Sequence, residues 1–170
     1  MNFYNEICKL KQVLRRGWII KNVPGRIESD AEHCFSMQML ALEIMAKNDL
    51  KLDQLKVLKM IAYHELGEIE VGDITIHDGV SIEDKYKMEL AAIEKLSKQA
   101  KMPEIKELWL EYEENKTPEA QFVKLIDAYD AVLYSKIYKD NLDLPKTFEE
   151  FSVFYKEKYK KGEKFKRSKK

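Results

Sequence analysis

The sequence predicts an all-α protein, a compact single-domain bundle of about six or seven helices. Three observations carry that prediction. Apolar residues recur every three or four positions, as in Leu55, Leu58, Ile61 and Ala62 and again in Phe122, Val123, Ile126, Leu133 and Ile137, the spacing of one helix face. Only six glycines and four prolines punctuate 170 residues, and three of the prolines stand where helices begin or separate. No stretch shows the apolar–polar alternation of a half-buried strand.

The elements follow from local start and stop signals. A first amphipathic run predicts a helix near 2–14. Ser29-Asp-Ala-Glu32 starts a second over 30–48, with Met37, Leu40, Ala41 and Ile44 on its apolar side. The Leu55–Ala62 stripe predicts a third over 52–70, ended by Gly72. Val71–Ile76 has some extended character, but Gly72 and Asp73 favour a helix stop and a loop. Ser81-Ile-Glu-Asp84 opens a helix over 81–101, and Met102-Pro103-Glu104 separates it from one over 103–115. Thr117-Pro118-Glu119 pairs an N-cap with a proline at the first helical position and opens 118–139. Thr147-Phe-Glu-Glu150 is a capping-box pattern that opens 147–160.

Composition excludes several classes of function. Thirty basic and thirty acidic residues balance, so no global field favours nucleic acid or a membrane surface. Residues 156–170 hold nine Lys/Arg against two Glu and read as a basic, solvated tail following a domain over 1–155. No run approaches the roughly 20 apolar residues of a membrane-spanning helix, and MNFYNEICKL is not a signal sequence. Two cysteines, Cys8 and Cys34, make no disulfide framework. A cytoplasmic protein with reduced thiols is expected.

The informative residues are polar groups on apolar stripes. His33 sits between Ala31 and Cys34-Phe35, His64 follows Met60-Ile61-Ala62, and Asp127 and Asp130 interrupt FVKLIDAYDAVLY. One buried histidine is ordinarily a hydrogen-bonded core residue. Two histidines and an aspartate on three inward faces call for a shared partner, and a divalent cation accepts imidazole nitrogen and carboxylate oxygen together. On a continuous helix, Glu68 lies about 40° from His64 and stands beside whatever His64 ligates, whereas Glu65 is rotated about 100° and reaches only an off-axis ion. Asp73 falls on the loop at the rim. Asp130, about 60° from Asp127, is an alternative ligand or a partner of one.

This pattern resembles the HD-domain metal-dependent phosphohydrolases, in particular their small 5′-nucleotidase branch. The family pattern is a His, a His-Asp pair and a later Asp on separate helices. It is matched by His33 in SDAEHCFSM, His64-Glu65 in AYHELGE and Asp127 in FVKLIDAYD. Glu68 and Asp73 in HELGEIEVGDI stand four and nine residues after His64, as in this branch. RRGWIIKNVPGRIESDAEH and ELWLEYEENKTPEAQFVK are similar as well, so the likeness spans roughly residues 7–140. The departure is Glu65, where the family has Asp. The literal His77-Asp78 dipeptide lies before Gly79 on no apolar stripe and is read as surface.

The resemblance implies one divalent cation (Mn, Co, Zn, Fe, Ni or Mg) on His33, His64, Glu65 and Asp127, and a nucleoside 5′-monophosphate as substrate. It implies Glu68 as acid/base, orienting water or protonating the leaving oxygen, and Asp73 at the sugar. It implies Arg16 at the phosphate and Trp18 against the sugar or base, although Arg16 reads equally as a solvated charge and Trp18 as a core aromatic. A homodimer is expected on the same ground. Three other readings compete. A zinc peptidase needs a second helical His at position 68, where Glu68 stands. The others are a non-catalytic helical module with a degenerate site, and a hydrolase acting on a cyclic or pyrophosphorylated nucleotide.

Overall fold

A computed structural model describes residues 3–138, together with Phe148 and residues 150–153. Among these residues there are eight α-helices and no strand: α1 (Phe3–Ile7), α2 (Arg16–Ile20), α3 (Asp30–Asn48), α4 (Gln54–Tyr63), α5 (Glu68–Val71), α6 (Ile82–Ala100), α7 (Pro103–Glu114) and α8 (Pro118–Tyr138). The nearest approach to a sheet is one isolated antiparallel bridge between Leu14 and Ser29. Of the helix expected over 147–160, only Phe148 and residues 150–153 are described, and they are helical. The rest of that helix and the basic tail lie outside the described residues.

The long helices begin where local chemistry starts them. Ser29 and Glu32 form a reciprocal capping box at α3, and the Ser81 hydroxyl accepts from the Asp84 backbone at α6. The Thr117 hydroxyl accepts from the Ala120 N–H at α8. Each satisfies N–H groups that the first turn leaves without a partner. α3 packs on α4 and α8, and α7 on α4, α6 and α8. The shared core holds Met37, Ala41, Val57, Met60, Ile61, Ile93, Ile105, Val123 and Ile126, all fully buried. At about 1.5–3 kcal/mol for each large side chain, this burial is what holds the bundle.

Two expectations are corrected. The run 2–14 is not one helix: α1 passes at Cys8 into a five-residue 3-10 helix ending at Gln12. The unforeseen α2 then follows. The run 52–70 is also broken. α4 ends at Tyr63 and α5 starts at Glu68, and between them the bonds tighten to three-residue spacing. Leu66 N–H donates to Tyr63 O at 3.2 Å, Glu68 to Glu65 at 3.0 Å and Ile69 to Leu66 at 3.4 Å. In such a turn residues i and i+3 eclipse, so Glu65 and Glu68 share a side instead of splaying by helical rotation. Gly67 lets this turn press on α6, because a Cβ there would lie 3.2–3.3 Å from the Glu89 Cβ, Cα and carbonyl oxygen. Gly72, at φ +74°, ends α5 and turns the chain to Asp73.

Candidate active site

His33 on α3 and His64 at the end of α4 face each other with ring centroids 5.8 Å apart. Each has its Nδ1 engaged. His33 Nδ1 lies 2.8 Å from Asp130 Oδ2, and His64 Nδ1 lies 2.7 Å from the Ile61 carbonyl oxygen, which it can only meet as a donor. With Nδ1 so engaged in each ring, Nε2 is the nitrogen left to meet a cation, and both Nε2 atoms turn to the same space. His33 Nε2 is 3.1 Å from Asp127 Oδ1. Buried His64 Nε2 makes no hydrogen bond and lies 3.4 Å from Glu65 Oε1. Asp127 Oδ2 accepts from the Tyr112 hydroxyl at 3.0 Å.

One ligand atom each from His33, His64 and Glu65 fall within 4.8 Å of one another. The three-residue spacing of the 64–68 turn is what swings Glu65 into this group. Two oriented imidazoles, one orphaned Nε2 and two carboxylates form a donor set that fits a divalent cation. The electrostatics agree. Burial pulls the His33 imidazole down, but hydrogen bonds to Asp127 and Asp130 outweigh it and raise it to about 9. The carboxylates thus demand positive charge at this position.

Beside this group, Asp30, Glu68 and Asp73 bring carboxylate oxygens within 4.8 Å of one another. Glu68 is almost fully buried, its Oε2 has no hydrogen-bond partner, and Lys85 Nζ is 3.4 Å from its Oε1. Burial, then the charges of Glu65, Asp30 and Asp73, push Glu68 up to about 12, so it keeps its proton at neutral pH. Asp30 is wholly buried, and the Glu68 carboxyl and Arg15 beside it only partly offset that burial. Burial and Glu65 raise it to about 7. Asp73 reaches the rim, where its Oδ2 accepts from the Arg16 backbone N–H at 2.7 Å.

A polar cavity of about 370 Å³ opens over these groups, with Arg15, Lys85 and Lys124 among its walls. A second of about 530 Å³ adjoins it, walled by Trp18, Ile74, Ile76 and Val80, and both are bordered by Arg15, Asp73, Ile82 and Lys85. Trp18 is buried and donates from Nε1 to Glu28 Oε1 at 2.8 Å. Arg16 borders neither cavity: its guanidinium turns outward to Asp78. Arg15 is the arginine of the site, with Nη1 2.8 Å from Glu65 Oε1 and 3.8 Å from Asp30 Oδ1. The surface reading of His77-Asp78 holds for exposed His77 only, since Asp78 is paired with Arg16 and half-buried.

The structure therefore brings together His33, His64, Glu65, Glu68, Asp73 and Asp127, with Trp18 on the adjoining wall. Asp130 backs His33. Arg15, Asp30, Tyr112, Lys85 and Lys124 complete the site and were not singled out from sequence. Only the Arg15-Arg16 doublet carried a signal, with no means of choosing between its members.

A helical bundle with histidines and carboxylates so arranged defines the HD-domain class, and the chain belongs to that family: the family model described as "HD domain" matches residues 7–168. Within it, the chain is 34% identical over 157 residues to the 5′-deoxynucleotidase hdd1 of Schizosaccharomyces pombe, covering 88% of this chain and 77% of that protein. It is 30% identical to the human 5′-deoxynucleotidase HDDC2, covering 89% and 74%. A conserved hypothetical protein from Pyrococcus furiosus superposes with a TM-score of 0.71 at 29% identity, covering 93% of this chain and 88% of that one. A predicted metal-dependent phosphohydrolase from Magnetospirillum magnetotacticum gives 0.65 at 30% identity, covering 78% and 66%. Among the described residues no helix is long and apolar enough to cross a membrane.

Proposed function

We propose that this chain is a divalent-metal-dependent 5′-nucleotidase that hydrolyses deoxynucleoside 5′-monophosphates to nucleoside and phosphate. The observation that carries the reading is the paired-imidazole and carboxylate donor group, with the buried Glu68 carboxyl set beside it. His33, His64, Glu65 and Asp127 would hold the cation. When bound there, a divalent cation polarises a phosphoryl oxygen and lowers the pKa of water.

The chain's own residues do the rest. Arg15 turns its guanidinium from Glu65 to the phosphate, a fork suited to two oxygens. Lys85 on α6 and Lys124 on α8, both lining the cavity, add charge against the phosphoryl group. Glu68, held protonated by burial and its acidic neighbours, gives its proton to the departing deoxyribose O5′, so it acts as the general acid. Asp73 receives the sugar at the junction of the two cavities, and Trp18 walls the space for sugar and base. Asp130 holds a proton on His33 Nδ1, so that Nε2, beside Asp127, is the nitrogen turned to the cation.

Metal analysis of the purified protein tests this reading, followed by phosphate release from ribo- and deoxynucleoside monophosphates with Mn, Co, Zn, Fe, Ni and Mg. Bound metal with phosphate release from deoxynucleotides is expected. Absence of both with every metal would leave a non-catalytic module. A cyclic or pyrophosphorylated nucleotide as the sole substrate would move the reading to another hydrolase. A homodimer is also proposed: Phe35, Met39 and Leu42 form an exposed apolar stripe on one side of α3, a surface suited to a second copy. Light scattering across a concentration series checks it. The free thiols of Cys8 and Cys34 accord with a cytoplasmic setting.

A further inference from the structure

Arg16 and Asp78 are left without a role by this chemistry, yet they join two walls of the site. The Arg16 backbone N–H fixes Asp73 Oδ2. Its side chain crosses to the loop beyond Asp73, where Nε donates to Asp78 Oδ1 at 2.5 Å and Nη2 donates to the same oxygen. Asp78 Oδ2 accepts from the Thr75 N–H and hydroxyl, both at 2.8 Å. One carboxylate thus ties its own loop with one oxygen and α2 with the other. The two pieces it joins both line the apolar cavity: Thr75, Ile76 and His77 from the loop, Gly17 and Trp18 from α2. Hydrogen bonds from Arg16 and Thr75 hold the Asp78 carboxyl below its ordinary range, so the tie persists through neutral pH.

We propose that Arg16 and Asp78 form a clasp that fixes loop 73–80 against α2 and so positions Asp73 for the substrate sugar. Both are positioning residues, and their reach is selectivity for deoxyribose over ribose. This rests on the reading that Asp73 meets the sugar. It gives the only literal His-Asp dipeptide in the chain a task, through its aspartate and away from the metal ligands. The Arg16 side chain is 49% exposed, and exposed pairs are worth at most about a fivefold effect and weaken with salt.

The test uses Arg16→Met, Asp78→Asn, their double variant and Arg16→Lys, assayed on a deoxynucleoside monophosphate and its ribonucleotide. Each single variant is expected to raise KM for the deoxynucleotide by about fivefold and to narrow the deoxy-to-ribo ratio of kcat/KM. The kcat on the deoxynucleotide should stay within about twofold. The double variant should match the singles, as coupled residues do, and Arg16→Lys should lie near the wild type. Amide exchange across residues 74–78 should quicken in Arg16→Met. Unchanged KM and sugar ratio in Arg16→Met would overturn the clasp, as would additive effects in the double variant. Failure of the functional reading shows separately, as a wild type that releases phosphate from no monophosphate. In that case unchanged exchange across 74–78 overturns the clasp as well.

Discussion

Asp30→Asn isolates the largest weakness in the electrostatics of the site, a wholly buried carboxylate set beside Glu65 and Glu68. Arg15 Nη1 lies 3.8 Å from its Oδ1. The carboxyl is raised to about 7 in the folded protein, against about 3.9 in an unfolded chain. The sign follows from linkage. Below pH ~4 both states hold the proton and Asp30 costs nothing. Between ~4 and ~7 the unfolded chain releases the proton first, so folding loses stability as pH rises, and above ~7 the loss is constant. Three pKa units correspond to about 4 kcal/mol, and because Glu68 bears part of the same repulsion, about 2–4 kcal/mol is expected. Asn keeps the shape and removes the ionisation. Urea unfolding of both proteins at intervals from pH 4 to 8, in chelator, measures the difference at each pH, so that any constant cost of the lost Arg15 contact cancels. The wild type should fall behind the variant by about 2–4 kcal/mol across that range, about 4–16 °C in Tm at pH 8. Parallel curves, or a wild type that gains on the variant as pH rises, would refute the argument.

Glu68→Gln should lower kcat by about 10²-fold or more while metal content holds; lost metal would make Glu68 a ligand instead. Asp130→Asn removes the carboxylate behind His33 Nδ1 and should weaken metal affinity by about 10–100-fold in a calorimetric titration. Gly67→Ala forces a methyl to within 3.2–3.3 Å of Glu89 Cβ, Cα and carbonyl oxygen. The backbone of α6 cannot yield as a flexible side-chain end would, so a loss of about 1–3 kcal/mol is expected by chemical denaturation.

The legible parts were those with local signals. The expected bounds of the helix containing His33 and the expected start of the one containing Asp127 fall within about a residue of those observed, because a Ser-Glu box and a Thr-Pro start fix them regardless of what packs above. His33, His64 and Asp127 were legible as polar intrusions on apolar stripes. The break between α4 and α5 was not, since three-residue and four-residue bonding leave the same apolar pattern over one turn. That break decides whether Glu65 faces the site. Arg15 was displaced by its neighbour because a five-residue α2 is too short to show periodicity, and one position turns a side chain by about 100°. Asp30 was hidden differently. An acid in the first turn of a helix is ordinary by its dipole, and only the tertiary fold buries it.

The two imidazoles are prepared by different means, with a consequence for assembly. His64 is oriented by a carbonyl three residues back on its own helix, so that half of the donor set forms as soon as α4 does. His33 is oriented by Asp130, 97 positions along the chain, and remains undirected until α8 docks on α3. The order of assembly is therefore written into the site: one ligand is ready early and locally, the other waits for the slowest, longest-range closure of the bundle. Tight binding by both at once reports that the two ends of the domain have met, and a chain released before α8 is made carries a single prepared histidine.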